Sequence, residues 1–276
     1  MPELPEVETV KNTLKLNILN KKIIDVKVNY SKIIQNVSEE DFINKLKNQS
    51  FVDVLRKGKH LIFVLDDYYL IGHMRMEGKY FLMHEEEIDK HDHIIFEFED
   101  SNLRYNDTRK FGTMFLYEKD IDIYNVKPLS NVGYEPFEEE MTKEYLYSKI
   151  GKLNKAIKTV LLDQSIISGL GNIYVDEVLF MSGLHPETKA NLLDLAKCEE
   201  IIKNSIIVLN KAIKLGGTTI RSFQSSHDIS GRFQNELLVH TKEICPNCNL
   251  KIKKIRVGGR GTYVCENCQK ICLQKN

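Results

Sequence analysis

Four of the six cysteines in this chain of 276 residues have the spacing of a metal site. They form two Cys-x-x-Cys pairs with 16 residues between them, namely Cys245, Cys248, Cys265 and Cys268. Two tight turns that each present two thiolates supply the four tetrahedral ligands of a structural zinc ion. The alternative is a disulfide framework, which this spacing disfavours in a cytoplasmic chain. We therefore predict one Zn²⁺ and assign no function to Cys198 or Cys272.

The first residues, MPELPEVETV, offer a second kind of chemistry. Once Met1 is removed, which a small following residue permits, Pro2 exposes a secondary amine. An α-amine has a pKa of about 7.7–8.0, against about 10.4 for a lysine side chain, so part of it is uncharged and nucleophilic near neutral pH. Glu3 stands beside it and can move protons during an attack. The alternatives are that Pro2 only leads a helix and that Glu3 only complements the helix dipole.

Composition places the chain among soluble globular proteins. Hydrophobic residues make up 42% and charged residues 28%, and the length allows a core that needs no disulfides. No apolar run is long enough to span a bilayer, and the N-terminus is acidic. We expect neither a membrane span nor a secretory signal, and we predict a cytoplasmic location.

The formal net charge of zero conceals a basic C-terminal end. Residues 240–276 contain eight Lys or Arg and two Glu, a net charge of 8 − 2 = +6. Four zinc-bound thiolates would lower this to about +4. Such a segment suits a protein that touches nucleic acid with one face, although a solvated charged tail explains the charge equally well.

Hydrophobic periodicity changes once along the chain. A helical stripe (Val7, Val10, Leu14, Ile18) is followed by short alternating segments, typical of an antiparallel sandwich or barrel without intervening helices. Helical periods then follow and end at Gly216-Gly217. We predict a β-rich domain (1–132), a linker (133–140), a helical domain (141–235) and a zinc ribbon (236–272).

Read together, the motifs resemble the formamidopyrimidine-DNA glycosylase family of base-excision repair enzymes. The matching segments run in family order: MPELPEVET at 1–9, RKGKHL at 56–61, GHMRMEGKY at 72–80, KHDH at 90–93, NDTRKFG at 106–112, LLDQSIISGLGNIYVDE at 161–177, GGTTIRSF at 216–223, and the zinc ribbon. The resemblance implies an α+β multidomain fold, with an N-terminal antiparallel β-sandwich and leading helix, a helix-two-turns-helix domain and a C-terminal zinc ribbon. It also implies double-stranded DNA with an oxidised base as partner, in the cleft between the domains of a monomer.

The resemblance implies four catalytic residues. Pro2 is the nucleophile that forms a Schiff base, and Glu3 is the general acid/base. Lys59 contacts phosphate and donates a proton in β-elimination, and Arg260 has the same two roles in δ-elimination. Without the family, Lys59 reads as a solvated lysine in a basic turn.

Further residues are implied to hold the DNA. Met76, Arg109 and Phe111 fill the space of an extruded base, since a stacked base cannot be reached. His73, His91 and Asn172 contact phosphates, and Asn172 also suits the N-cap of a helix. The basic position before AIKTVLLDQ is ambiguous, because Leu153 occupies it between Lys152 and Lys155; Lys155 is the candidate contact. Read alone, Met76 and Phe111 would be core residues and His91 an ordinary strand-edge histidine.

The predicted function is that of a bifunctional DNA glycosylase and AP lyase that excises oxidised purines and cleaves the abasic strand by β,δ-elimination, associated with the nucleoid when bound to DNA. Two alternatives stay open: an endonuclease VIII-like glycosylase for oxidised pyrimidines, and a non-catalytic zinc-ribbon DNA-binding protein. Residues 223–233 are predicted to close over the flipped base. Glu6 lines the base pocket or caps a helix.

Overall fold

The computed structural model describes residues 1–84, 87–218, 223–224 and 231–273. Contacts divide the chain into two compact units. The first comprises Met1–Asn131 and Gly216–Gly231, and the second comprises Val132–Leu215 and Arg232–Asn276. Residues 216–231 belong to the predicted helical domain, but the described residues among them group with the first unit.

The first unit is built on two sheets. Its strands are β1 (Asp25–Val28), β2 (Phe51–Lys57), β3 (His60–Leu65), β4 (Tyr68–His73), β5 (Lys79–Met83), β6 (Asp92–Glu97), β7 (Asn102–Asn106), β8 (Thr113–Glu118) and β9 (Phe223–Gln224). One sheet has the order β2-β3-β4-β8, and the other has the order β1-β6-β7-β5-β9, in which only β9 pairs in parallel. The Phe51 ring lies 5.7 Å from Phe63 in its own sheet and 6.1 Å from Phe96 in the other. The sheets therefore pack face to face, as the predicted sandwich requires.

Helix α1 (Leu4–Ile18) begins the first unit and confirms the predicted leading helix. Its stripe at Val7, Val10, Leu14 and Ile18 is fully buried in the core of the sandwich. At its start, the Glu3 backbone N–H donates to Glu6 Oε2 at 2.9 Å, which satisfies one of the donors that a helix start leaves free.

A second helix, α2 (Glu39–Leu46), interrupts the strands, so the prediction of strands without intervening helices is wrong. Ser38 Oγ accepts the Asp41 N–H at 3.0 Å, and acidic residues fill the first turn. Phe42 and Leu46, four residues apart, are the buried face. A single i,i+4 apolar pair is too short a period to stand out in the sequence, although the serine cap is visible there.

The second unit contains helices and one hairpin. The elements are α3 (Lys143–Ile150), α4 (Ile157–Leu161), α5 (Asn172–Met181), α6 (Leu195–Lys214), β10 (Lys253–Val257) and β11 (Arg260–Val264). These helices confirm the predicted helical segments. Helix α6 ends before Gly216 and Gly217, whose φ angles of 75° and 78° terminate it as predicted.

Several connections of the first unit converge at one end of its sheets. In the first sheet, His73 at the end of β4 pairs with His60 after the β2–β3 turn and with Thr113 at the start of β8. In the second sheet, Asn106 at the end of β7 pairs with Lys79 and Asp92 at the starts of β5 and β6. The β4–β5 and β7–β8 connections, residues 74–78 and 107–112, therefore pass between the sheets at this end.

Candidate functional site

Two ion pairs set the register of α1 along β2. Lys15 Nζ lies 2.6 Å from Asp53 Oδ1, and Arg56 Nε lies 2.8 Å from Glu8 Oε2. The 15 − 8 = 7 helical residues between these pairs rise about 10 Å, as do the 56 − 53 = 3 strand residues. Helix α1 and strand β2 therefore run antiparallel, and the two segments between the ion pairs have the same length. Beyond Arg56, β2 ends at Lys57, and Lys59 lies in the turn that leads to β3. Back along the helix from Glu8, about 6 Å leads to Leu4, the first residue of α1, which directly follows Pro2 and Glu3.

Arg56 also secures the turn that carries Lys59. Its Nη1 donates to the Gly58 carbonyl at 2.9 Å while its Nε binds Glu8. Burial raises the pKa of the Glu8 carboxyl, but hydrogen bonds from Lys11 and Arg56 outweigh it and leave this pKa below its ordinary value. Glu8 is therefore ionised at neutral pH, and the β2–β3 turn is bound to the first turns of α1.

Two ionisable side chains at this end are buried. Glu3 is only 3% exposed and Lys59 only 4%, although solvent-facing positions are usual for both residue types. Burial of a carboxylate and an ammonium is costly unless their surroundings compensate, so groups held this way are candidates for chemistry.

A pair of neutral histidines lies behind the turn. The His60 and His73 rings meet edge to face at 4.6 Å. Burial is the largest cause that lowers the pKa of His60, to about 4, and the charges of Arg75 and Lys59 add to it. Burial also lowers the pKa of His73 well below its ordinary value, followed by the electrostatic effect of His60. His73 Nδ1 accepts the Arg75 N–H at 2.8 Å. In the neutral ring the proton is therefore on Nε2, which makes His73 a hydrogen-bond donor without charge.

Glu6 connects the start of α1 to residues near the end of the chain's helical region. Besides the Glu3 N–H on Oε2, its Oε1 accepts the Thr218 N–H at 2.9 Å and the Thr218 hydroxyl at 3.1 Å. A Cβ on Gly217 would lie 2.6 Å from the same oxygen, so only glycine fits there. Glu6 thus caps the helix and also holds a segment 212 residues away.

Asp107 organises the loop of residues 107–112 from a fully buried position. Its Oδ1 accepts the Arg109 N–H at 3.0 Å, and its Oδ2 accepts those of Phe111 and Gly112, both at 2.8 Å. Its backbone carbonyl accepts from His93 Nε2 at 2.8 Å. One carboxylate therefore dictates the backbone path on which Arg109 and Phe111 stand.

This loop presents an aromatic ring to solvent. Phe111 is 52% exposed, and the Arg109 guanidinium carbon lies 4.8 Å from its ring centroid. Met76, on the other connection between the sheets, and His91, next to β6, are both half-buried. The structure therefore brings together Lys59, His73, Met76, His91, Arg109 and Phe111 at one end of the first unit. A rigidly held, exposed aromatic ring is suited to stacking on a planar group.

We predict that Asp107→Ala destabilises the first unit by about 3 kcal/mol, because three backbone N–H groups, of which that of Gly112 is buried, lose their acceptor. Urea denaturation followed by circular dichroism measures this loss. Asp122→Ala is the matched control, since Asp122 organises only an exposed turn through the Tyr124 N–H at 3.0 Å. Equal stability of the Asp107 variant and the wild type would contradict the role given to this carboxylate.

The second unit carries the other predicted residues. Asn172 is the first residue of α5, and Gly171 is the N-cap, so the predicted N-cap role of Asn172 is wrong. Its side chain turns instead toward the hairpin, where Nδ2 donates to the Gly261 carbonyl at 3.0 Å. Arg260 is exposed at the start of β11, and Lys155 is exposed in the loop before α4. The structure thus links Asn172 to the residue after Arg260.

Cys245, Cys248, Cys265 and Cys268 form one cluster. Their Sγ atoms all lie within 4.8 Å of one another, with Cys245–Cys268 at 3.7 Å and Cys248–Cys265 at 3.5 Å. A tetrahedral zinc ion with Zn–S bonds of about 2.3 Å requires S···S distances of about 3.8 Å. The Leu250 N–H is the largest cause that lowers the pKa of Cys248, to about 6, which favours the thiolate. The four residues fit one structural Zn²⁺, as predicted.

Sequence reasoning missed several buried charged residues, among them Asp107, Lys158 and Asp176. Lys158 and Asp176 stand in helical stretches that are mainly apolar, and a charged residue among apolar neighbours was the available signal of a buried charge. The loop predicted to close over a base, residues 223–233, lies mostly outside the described residues, because 225–230 are not among them.

Models of three protein families match successive parts of the chain. They are the formamidopyrimidine-DNA glycosylase N-terminal domain at residues 1–114, the formamidopyrimidine-DNA glycosylase H2TH domain at 132–224, and the zinc finger found in FPG and IleRS at 242–271. Within the described residues, no helix has the length and apolar character needed to cross a membrane.

Full-length relatives agree with these matches. The chain is 48% identical over 278 residues to the formamidopyrimidine-DNA glycosylase of Exiguobacterium sibiricum, with 99% of this chain and 100% of the relative covered. It is 46% identical over 275 residues to that of Bacillus licheniformis, with 98% and 100% covered.

Solved structures with the same fold are complexes of Lactococcus lactis Fpg. The wild-type protein with N7-benzyl-Fapy-dG containing DNA has a TM-score of 0.89 and 42% identity, with 98% of this chain and 100% of that chain covered. The complex with abasic site containing DNA has a TM-score of 0.89 and 41% identity, with 97% and 99% covered. Fold, zinc cluster and full-length identity agree, and the chain belongs to the formamidopyrimidine-DNA glycosylase family of DNA repair enzymes.

Proposed function

We propose that this protein is a bifunctional DNA glycosylase and AP lyase that removes oxidised purines, chiefly 8-oxoguanine and formamidopyrimidines, from double-stranded DNA. It acts as a monomer in the cytoplasm. The observation that carries the proposal is the register of α1 on β2, which directs Pro2 and the buried Glu3 toward the turn of the buried Lys59. A nucleophile, a carboxyl group and an ammonium group at one place are the reagents that the two reactions need.

Base excision begins at the Pro2 amine, which is free once Met1 has been removed. Its lone pair attacks C1′ of the damaged nucleotide, and the bond from C1′ to the base breaks with its electrons leaving on the base. The amine loses its proton in this step, and the departing base gains one. Glu3 protonates the ring oxygen as the sugar opens, and the C1′–N bond becomes an iminium. Glu3 is only 3% exposed, which keeps the group that moves this proton out of bulk water.

Strand cleavage then proceeds by two eliminations. The iminium acidifies the C2′ proton, whose loss expels the 3′ phosphate, with Lys59 as the donor to the leaving oxygen. A second elimination removes the 5′ phosphate, with Arg260 from the second unit in that role. Its guanidinium also stabilises the phosphate charge through a pair of parallel hydrogen bonds.

Binding of the duplex uses the remaining predicted residues. Phe111 and Met76 wedge into the stack, and Arg109 hydrogen-bonds to the base left without its partner. His73, His91, Asn172 and Lys155 contact phosphates. The L. lactis complexes contain damaged DNA, which supports damaged DNA as the ligand of this chain. For His73, the neutral Nε2–H donor adds support.

The test compares excision from matched duplexes that contain 8-oxoguanine or thymine glycol. We expect single-turnover excision of 8-oxoguanine to be at least tenfold faster. A preference for thymine glycol would assign the protein to the oxidised-pyrimidine alternative. Binding without excision of either lesion would make it a non-catalytic DNA-binding protein.

A further inference from the structure

The carboxylate of Asp176, on α5, contacts several elements of the second unit and has no role in the proposed chemistry. It is fully buried. Its Oδ1 lies 2.6 Å from Lys158 Nζ on α4. Its Oδ2 lies 2.7 Å from His240 Nδ1 and accepts the Tyr263 N–H of β11 at 3.2 Å. Both carboxylate oxygens therefore have partners, and this one charge connects α4, α5 and the β10–β11 hairpin.

The same group reaches the residue that follows Arg260. Lys158 Nζ, held by Asp176, also lies 3.3 Å from the Gly261 carbonyl. That carbonyl accepts the Asn172 side chain at 3.0 Å as well. On the other side of Arg260, a Cβ on Gly258 would lie 2.5 Å from Thr159 Oγ1, so the hairpin turn packs tightly on α4. Arg260 is therefore bracketed by contacts at positions 258, 261 and 263.

The zinc cluster alone does not place Arg260. Arg260 and Cys265 are at opposite ends of β11, five residues apart, which corresponds to about 17 Å along a strand. A two-stranded hairpin is marginally stable and twists easily unless it packs on something. What holds its far end is the contact with α4 and α5, in which Asp176 supplies the negative charge.

We propose that Asp176 is a positioning residue that holds the β10–β11 hairpin so that Arg260 reaches the phosphate in δ-elimination. This rests on the proposed function, in which Arg260 is the donor for that step. Asp176 touches neither the DNA nor the reacting atoms, and it acts through Lys158, Gly261 and Tyr263. Its loss should therefore affect the second elimination while leaving the Pro2 chemistry in place.

The experiment measures the ratio of δ- to β-elimination products on abasic DNA, together with borohydride trapping of the Pro2 adduct and zinc content, for the full-length protein. Asp176→Asn offers one acceptor oxygen where the carboxylate offers two, and it removes the charge. We expect the ratio to fall at least fivefold, with trapped adduct within twofold of wild type and one zinc retained. Arg260→Ala, measured alongside, should lower the ratio in the same way.

Two further variants keep the result interpretable. Asp194→Ala removes the N-cap of α6, where Asp194 Oδ1 accepts the Lys197 N–H at 2.8 Å, and should leave the ratio unchanged. His240→Phe keeps the ring that lies 4.9 Å from Tyr263 but removes the donor to Asp176, and should lower the ratio about twofold. This variant decides the question if Asp176→Asn does not fold.

The outcomes separate the two proposals. If Arg260→Ala lowers the ratio but neither Asp176→Asn nor His240→Phe does, the positioning role is wrong and the proposed function stands. If Arg260→Ala leaves the ratio unchanged, the role of Arg260 is wrong and the positioning role falls with it. A fall with Asp194→Ala equal to that with Asp176→Asn would reduce the effect to general destabilisation and overturn the inference.

Discussion

Replacing Pro2 with glutamine is expected to abolish the covalent adduct that borohydride traps on 8-oxoguanine DNA. The change removes the secondary amine, and the larger second residue also prevents removal of Met1, so the free amine moves one residue away from the sugar. A side-chain lysine does not substitute, because its pKa of about 10.4 leaves it almost entirely protonated near neutral pH. Adduct yield on a denaturing gel, in single turnover, measures the effect.

Pro5→Ala is the matched control for this experiment. Pro5 lies in the first turn of the same helix, where alanine is a good substitute, and it carries no terminal amine. Its adduct yield should remain close to that of the wild type. An adduct at wild-type level from the Pro2→Gln protein would mean that another amine is the nucleophile, and the proposed mechanism would have to be abandoned.

Replacing Cys248 with serine should release zinc and weaken DNA binding at least tenfold, about 1.4 kcal/mol or more. Structural zinc supplies much of the folding energy of a small ribbon, about 10–16 kcal/mol in zinc-finger peptides. Without it, the hairpin of Arg260 loses its anchor at Cys265, and the phosphate contacts of the basic end are lost with it. Metal analysis and gel-shift titration measure the two effects.

Salt dependence adds a second measurement to the zinc experiment. The logarithm of affinity falls with the logarithm of salt concentration in proportion to the phosphates neutralised, so the variant should show a shallower slope. Cys272→Ser is the control, since Cys272 is not in the metal cluster and should keep both zinc and affinity. Unchanged affinity and slope in a zinc-free Cys248→Ser protein would show that the ribbon does not clamp DNA.

Local patterns were readable from the sequence because their information lies within a few residues. Two Cys-x-x-Cys pairs specify a tetrahedral site by turn geometry alone, and the cluster has the expected S···S distances. The stripe from Val7 to Ile18 has a helical period and is buried as one face. The resemblance to a family added an ordered set of motifs, which the full-length identity bears out.

Buried charge was the main feature that the sequence left open. Lys158 and Asp176 are charged residues in helical segments, and charged residues usually lie on the solvent-exposed face of a helix. Their partners come from elsewhere: Lys158 and Asp176 are 18 residues apart, and the Gly261 carbonyl is 103 residues from Lys158. Nothing periodic marks such pairs, because the contacts exist only after the elements have packed.

The sequence by itself therefore determined the four thiolates of the zinc cluster and the proposed reagents, namely the Pro2 amine beside Glu3. It also determined the helices and most strands that carry them. Only the tertiary structure decided how the reagents are held. Asp107 shapes its loop, Arg56 binds the Lys59 turn to α1, and Glu6 joins Glu3 to Thr218 across 212 residues. The physical reason is that a hydrogen bond depends on distance in space, whereas composition and periodicity report only distance along the chain.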